Sequence, residues 1–209
     1  MCYRFTRSTS AEDIAEYFDT EEVPAAPPRY NIALSQPILT LRATEHGRQW
    51  IDLKWGFVPH WSKETKPKPY GNARAETVAS KPFFRDAFKK RRCLVPADGF
   101  FEWEEIDGKK QPWLFRLNDG GLFAFAGLWD TWTDPAGKSI DTCAILTTTA
   151  NELLERIHDR MPVMLTKENI NRWMEPGELT ENTCNELLAP LAADRMRGVC
   201  VNQKMNNPR

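Results

Sequence analysis

Hydrophobic and polar positions change period along the chain, and the changes mark its elements. Cys2 to Thr6 reads as a short strand, which sets the start of the chain near a core. Ser10-x-x-Asp13 then has the form of a helix N-terminus ahead of Ile14, Tyr17 and Phe18. Pro24, Pro27 and Pro28 oppose regular structure, so Arg29-Tyr30-Asn31-Ile32-Ala33 is expected as loop, followed by strands around Ile38 to Arg42 and Trp50 to Lys54. From Gly56 to Thr77 no period holds. A loop of that length, rich in Trp, Asn and Arg, is expected to be functional rather than a mere connector.

Beyond it, Ser80 is expected to cap a short helix through Phe88. Cys93 to Val95 and Phe100 to Glu104 read as strands separated by Pro96-Ala97-Asp98-Gly99. Asp107-Gly108 and Asp119-Gly120 both read as hairpin turns, which makes Trp113 to Leu117 and Leu122 to Trp129 parts of an antiparallel meander. Ile140 to Thr148 and Met161 to Leu165 are expected as strands. Asn151 to Ile157, Glu168 to Met174 and Glu181 to Leu188 are expected as helices. Strands joined mainly by hairpins, with helices around them, predict an α+β fold rather than a doubly wound α/β one. The 209 residues fit one domain, 1–209.

Composition narrows the class. A chain 41% hydrophobic and 27% charged can pack a core, which excludes a disordered or fibrous protein. The cysteines Cys2, Cys93, Cys143, Cys184 and Cys200 are odd in number and lack a C-x-x-C pair. They point to a reducing cytoplasm and to neither a disulfide framework nor a metal site. No apolar run nears the roughly 20 residues that span a bilayer, and the N-terminus lacks the apolar core of a signal peptide, so neither membrane nor secretion is expected. The formal net charge of -1 excludes a globally basic nucleic-acid binder. Its distribution restores the possibility locally, because His60 to Arg92 holds ten Lys or Arg against three acids. Lys63 to Lys68 alone fits a solvated loop. The Arg-rich remainder, interleaved with Trp55, Trp61, Phe83 and Phe84, fits a groove that tracks phosphates and offers stacking platforms.

Cys2 becomes special if Met1 is removed, since the residue then carries a free α-amine beside its thiol. An α-amine titrates near ~8, against ~10.4 for lysine, so far more of it is a neutral nucleophile at pH 7. Amine and thiol together can convert an aldehyde first to an imine and then to a five-membered thiazolidine. Cys2 read alone is better taken as a small hydrophobe opening an edge strand. His158, in Ile157-His158-Asp159-Arg160-Met161-Pro162, has the position of an acid/base, and His46 and His60 sit in other loops without ligand-like spacing. Glu102 lies within Phe100-Phe101-Glu102-Trp103. It either has a carboxyl raised by apolar neighbours or points to solvent in a period-two strand, and spacing leaves the two even. Asn72 and Arg74 are an orienter and a phosphate fork, or only a turn.

The blocks Met1-Cys2-Tyr3-Arg4-Phe5, PRYNIA (28–33), WGFVPHW (55–61), NARAET (72–77), RRCLVPADGFFEW (91–103) and HDRMPV (158–163), in this order, resemble the SRAP family of abasic-site processing proteins. The resemblance implies a single SRAP domain with a curved, largely antiparallel β core surrounded by helices, and a terminal strand near Val201 and Asn202. It also implies binding to single-stranded DNA and a covalent thiazolidine between Cys2 and an abasic sugar. On that basis Cys2, Asn72, Glu102 and His158 are the expected catalytic residues. Arg4, Asn31, Trp61, Arg74, Arg85, Arg160 and Met161 are the expected DNA contacts, with Trp61 as a stacking wedge. No cofactor and no metal are expected, and a monomer is the default expectation. Tyr3 departs from the family's usual Gly, Leu34-Ser35 from its usual Pro-Thr, and Phe101 from a usual Tyr. Two other classes compete: a thiol peptidase with autocatalytic Met1 removal, and a single-stranded DNA-binding module with no chemistry.

Overall fold

Two sheets organise the chain, and a computed structural model describes residues 2–44 and 47–207 of it. Met1 and His46, which enter the sequence argument, lie outside the described residues. In chain order the elements begin β1 (Arg4–Arg7), α1 (Ala11–Tyr17), β2 (Arg29–Ala33), β3 (Pro37–Thr44), β4 (Gly47–Trp55), β5 (Asn72–Arg74), α2 (Ala75–Val78), α3 (Arg85–Lys90) and β6 (Arg92–Ala97). They continue β7 (Gly99–Ile106), β8 (Lys109–Leu117), β9 (Phe123–Thr133), β10 (Ser139–Thr149), β11 (Arg160–Pro162), β12 (Met164–Leu165), α4 (Lys167–Met174), α5 (Glu181–Leu187) and β13 (Met196–Cys200).

The smaller sheet is antiparallel, in the order β13-β8-β7-β1-β2. In the larger, β4 pairs β3, β3 pairs β6, β6 pairs β9 and β9 pairs β10. β10 then returns to β4 in parallel at Thr142↔Lys54 and Cys143↔Trp55. The pairing runs back to its start, so these five strands form a closed ring and have no free edge. Period-two alternation sends successive side chains of the ring to two cores. Leu41, Leu94, Ala126 and Leu146 pack with Ile14, Phe18, Phe88 and Trp173 from the helices. Ile38, Val95, Phe125 and Ile145 pack with Cys2, Phe5, Phe100 and Phe115 of the smaller sheet. The fold is α+β, as expected, and the site residues arise where the smaller sheet meets the ring.

Several elements differ from expectation. Arg29–Ala33 is a strand: its prolines end at Pro28, and it pairs only with β1, at the sheet edge. Asp107-Gly108 does close the β7–β8 hairpin, with φ of 50° and 72° as a two-residue type I′ turn requires. Asp119-Gly120 closes none, because β8 and β9 belong to different sheets and only Gly120 has positive φ. Ser80 caps no helix; its hydroxyl donates to Thr77 O, and the helix through Phe88 starts at Arg85. Asn151 to Ile157 forms successive turns pinned by Asn151, whose carbonyl accepts from Leu154 and Glu155 N–H. The strand near the end of the chain is β13, and Val201 N–H still donates to Pro112 O beyond it. The long segment between β4 and α3 is partly ordered by β5, by α2 and by a Phe57–Tyr70 bridge.

Candidate active site

Cys2 precedes β1 and is fully buried against Phe5 and Trp55. β1 lies antiparallel to β7 with Phe5 opposite Phe100, and Glu102 follows two residues along β7. That register sets Glu102 beside the start of β1, within electrostatic reach of the thiol. Burial first, and then the negative charge of Glu102, push the Cys2 thiol far above its ordinary range. Glu102 is itself only 3% exposed, so it does not point to solvent, and burial raises its pKa to about 7. Asn72 arrives from β5, which is set parallel to β10, and its Nδ2 donates to Cys2 O at 3.1 Å. Its Oδ1 is buried with no partner among the described residues. Gly71, just before it, holds β5 in place: its carbonyl accepts from Trp55 Nε1 at 2.8 Å and Ile145 N at 2.9 Å.

His158 follows the turns after β10. Burial first, and nearby positive charge second, lower its pKa, against the opposing effect of Asp159. Two neighbours lie 2.9 Å from Nδ1: the Arg160 N–H and the Asp159 carboxylate. The Arg160 N–H requires a lone pair on Nδ1, whereas the exposed Asp159 carboxylate requires a proton there, so the two contacts favour different protonation states of the ring. Asp159 also raises Glu102, so the His158 turn and β7 lie within electrostatic reach. Asn72 thus bonds to Cys2, the Glu102 charge acts on its thiol, and the His158 turn carries a charge that acts on Glu102.

The expected DNA contacts divide. Arg4 NH1 donates to Asn31 Oδ1 at 2.9 Å, and its guanidinium lies 5.9 Å from the Trp103 ring. Arg74 and Arg85 are exposed. Trp61 is 52% exposed and meets Phe83 edge-on, while Phe83 also packs on exposed Tyr70. Arg160, expected as a DNA contact, is buried, forks onto both Glu76 oxygens at 2.6 and 2.9 Å, and donates to Thr147 O. Met161 is fully buried in the core and offers no surface contact. Sequence reasoning missed Asp130, whose carboxylate takes both the N–H and the ring Nδ1 of His60 at 2.9 Å and so anchors the Trp61 loop. Its Trp-Asp-Thr-Trp setting in a strand is the only signal, a charge where a buried strand has none to spare. It also missed Tyr70 and Trp103. A cavity of about 590 Å³ opens instead between α2 and α5, lined by Glu76, Cys184 and Leu188, and includes none of the four clustered residues. Among the described residues no group of three His, Cys, Asp or Glu is placed to hold a metal, and no helix is long and apolar enough to cross a membrane.

An α+β chain whose second residue is a buried cysteine, bonded by an Asn amide and within reach of a buried Glu carboxyl, defines a narrow class. The chain belongs to the SOS response associated peptidase (SRAP) family, whose model matches residues 1–208. It is 42% identical to the abasic site processing protein YoqW of Bacillus subtilis (strain 168), across 100% of this chain and 96% of that one. It is 30% identical to the abasic site processing protein HMCES of Gallus gallus, across 76% of this chain and 55% of the relative. A crystal structure of a protein from Bacteroides thetaiotaomicron superposes with a TM-score of 0.85 at 26% identity, covering 99% of this chain and 97% of that one.

Proposed function

We propose that this chain processes abasic sites in single-stranded DNA by capturing their aldehyde on Cys2 once Met1 has been removed. The observation that carries the reading is the convergence on Cys2 of a carboxyl with a pKa of about 7 and an Asn72 amide with an open acceptor. The relatives' names support the substrate class.

Chemistry follows from the groups present. As the C1′–O4′ bond of the cyclic abasic sugar breaks, the proton of the 1′-hydroxyl passes to the His158 ring while the ring gives one to O4′, so the aldehyde appears and His158 ends as it began. The Cys2 amine adds to C1′. Glu102, half protonated near neutrality, gives its proton to the departing hydroxyl, and water leaves with formation of an iminium. The Glu102 carboxylate then takes the thiol proton as sulfur attacks the same carbon, and the C=N electron pair returns to nitrogen. The net change is loss of one water, and Glu102 ends as it began. Asn72 Oδ1 accepts from the amine or the sugar hydroxyl. Ring closure consumes the iminium, which is otherwise the electron sink for β-elimination, so crosslinking protects the strand and lyase cleavage is its failure mode.

A thiol peptidase needs the opposite electrostatics. Its cysteine is activated by lowering of the thiol pKa, whereas burial and Glu102 raise that of Cys2. Here the amine leads and the thiol follows. Mature protein mixed with an oligonucleotide bearing one abasic site should give a heat-stable species at the summed mass less water, absent with undamaged DNA and absent for Cys2→Ala. Turnover of unmodified peptides without that adduct would establish the peptidase reading instead.

A further inference from the structure

The expected DNA contacts Arg4 and Asn31 sit beneath the segment after β13. Asn31 Nδ2 donates to Asn207 O at 3.2 Å and to Met205 O at 3.5 Å, while Asn31 Oδ1 accepts from Arg4 NH1 at 2.9 Å. The same segment reaches β7 and β8: Asn206 Oδ1 accepts from Trp103 Nε1 at 2.6 Å, and its Nδ2 donates to Lys110 O at 3.2 Å. Trp103 in turn lies under the Arg4 guanidinium. Asn202 caps the short 3-10 turn Gln203–Asn206 by accepting from Lys204 N, which fixes the approach of the segment.

An amide side chain has two ends of opposite polarity, and an exposed one turns freely between them. Here two main-chain carbonyls accept only from the NH₂ end, so that end faces the segment and Oδ1 faces Arg4. Trp103 is fixed from the other side. Arg4 is held at one guanidinium nitrogen and along its planar face, with other N–H groups still available to an oxyanion. We infer that residues 202–207 are a positioning segment for DNA binding. By setting the Asn31 amide and the Trp103 ring, they aim Arg4 at a backbone phosphate of the bound strand.

The inference rests on the proposed DNA function, and its test separates the two. In a Cys2→Ala background, which cannot crosslink, binding of a single-stranded oligonucleotide is titrated at several salt concentrations. The variants are a chain ending at Asn202, the full chain with Asn206→Ala, the full chain with Lys204→Gln and Arg209→Gln together as the charge control, and each of the first two combined with Arg4→Ala. Thermal melting verifies that each is folded. Truncation is expected to weaken binding several-fold beyond the Lys204→Gln, Arg209→Gln control and to reduce the log-log salt slope by about 0.7 relative to it, one phosphate on a single strand. Asn206→Ala is expected to give a smaller loss in the same direction. With Arg4→Ala already present, neither change should weaken binding further, since the segment then has nothing to aim. Additive losses, or tighter binding on truncation, overturn the inference while leaving DNA binding intact. An absence of binding by the parent protein overturns the DNA reading itself.

Discussion

Asp98 and Glu102 stand four residues apart on either side of the start of β7, each 3% exposed, and they titrate in opposite directions. At Asp98 burial raises the carboxyl, but hydrogen bonds from Thr6, Ser8 and Thr9 outweigh it and hold the group below its usual range. Thr6 Oγ1 and Ser8 N lie at 2.5 Å, Ser8 Oγ at 2.7 Å, and Thr9 N and Oγ1 at 3.0 and 3.1 Å. At Glu102 burial prevails and the pKa climbs to about 7. A buried acid saturated with donors is a fastener, here joining β1 and the turn before α1 to the β6–β7 junction. A buried acid left near neutrality is a proton carrier.

The sharpest test of that division exchanges the carboxyl for an amide. Glu102→Gln should slow adduct formation about 100-fold or more, the scale of a lost general acid and base, while the protein melts no lower than the parent at pH 8. A melting loss with normal adduct kinetics would make Glu102 the fastener. Asp98→Ala should do the reverse. It strands several buried donors, so stability should fall by about 3 kcal/mol, roughly 6–12 °C in melting temperature, while folded protein still forms adduct at the parent rate. A specific kinetic defect in that variant would erase the distinction.

The two acids also predict opposite responses to pH. Below pH 4.5 Glu102 is protonated in both the folded and the unfolded chain. Between 4.5 and about 7 the unfolded chain releases that proton while the folded one keeps it, so stability drains away as pH rises and the deficit is constant above 7. Relative to Glu102→Gln, the parent should lose on the order of 2 to 3 kcal/mol across that window in denaturant titrations. Asp98, with its folded pKa depressed, contributes stability above its unfolded value of 3.8 and loses it as pH falls through the lower folded value. A parent and Glu102→Gln that track each other from pH 4.5 to 8 would show that Glu102 carries no raised pKa.

The reach of the sequence follows the same line between local and tertiary causes. Ser10 accepting from Asp13 N, and Asp107-Gly108 in its two-residue turn, are events within four residues, and their signals were legible. Asp119-Gly120 offers the same dipeptide, yet its meaning depends on which sheet receives the next strand. The presence of Cys2, Asn72, Glu102 and His158 was legible through the family blocks. That Glu102 faces inward was not, because alternation gives a period without its phase. Arg160 read as a DNA contact because Glu76, which its guanidinium meets, lies 84 positions away. Met161 read as a contact for the same reason, although β11 delivers it to the core.

The smallest effect concerns how firmly the proton-carrying side of the junction is held. A Cβ at Gly71 would lie 2.5 Å from Leu34 Cδ1 and 2.9 Å from Tyr3 Cε1, so a methyl there must displace one or both. Both are outer ends of side chains, which can give way, and the stability loss in Gly71→Ala should be about 1 to 2 kcal/mol. The nearer obstacle is Leu34, so adding Leu34→Ala should restore part of that loss, measured as a favourable coupling in a double-mutant cycle. Tyr3 adjoins Cys2 and Gly71 adjoins Asn72, so the same strain should loosen the Asn72 bond to Cys2 O and slow adduct formation a few-fold. If Gly71→Ala leaves stability and kinetics unchanged, Tyr3 and Leu34 yield freely. The Asn72 position would then owe nothing to the close packing at Gly71, and the two hydrogen bonds to its carbonyl, from Trp55 and Ile145, would suffice.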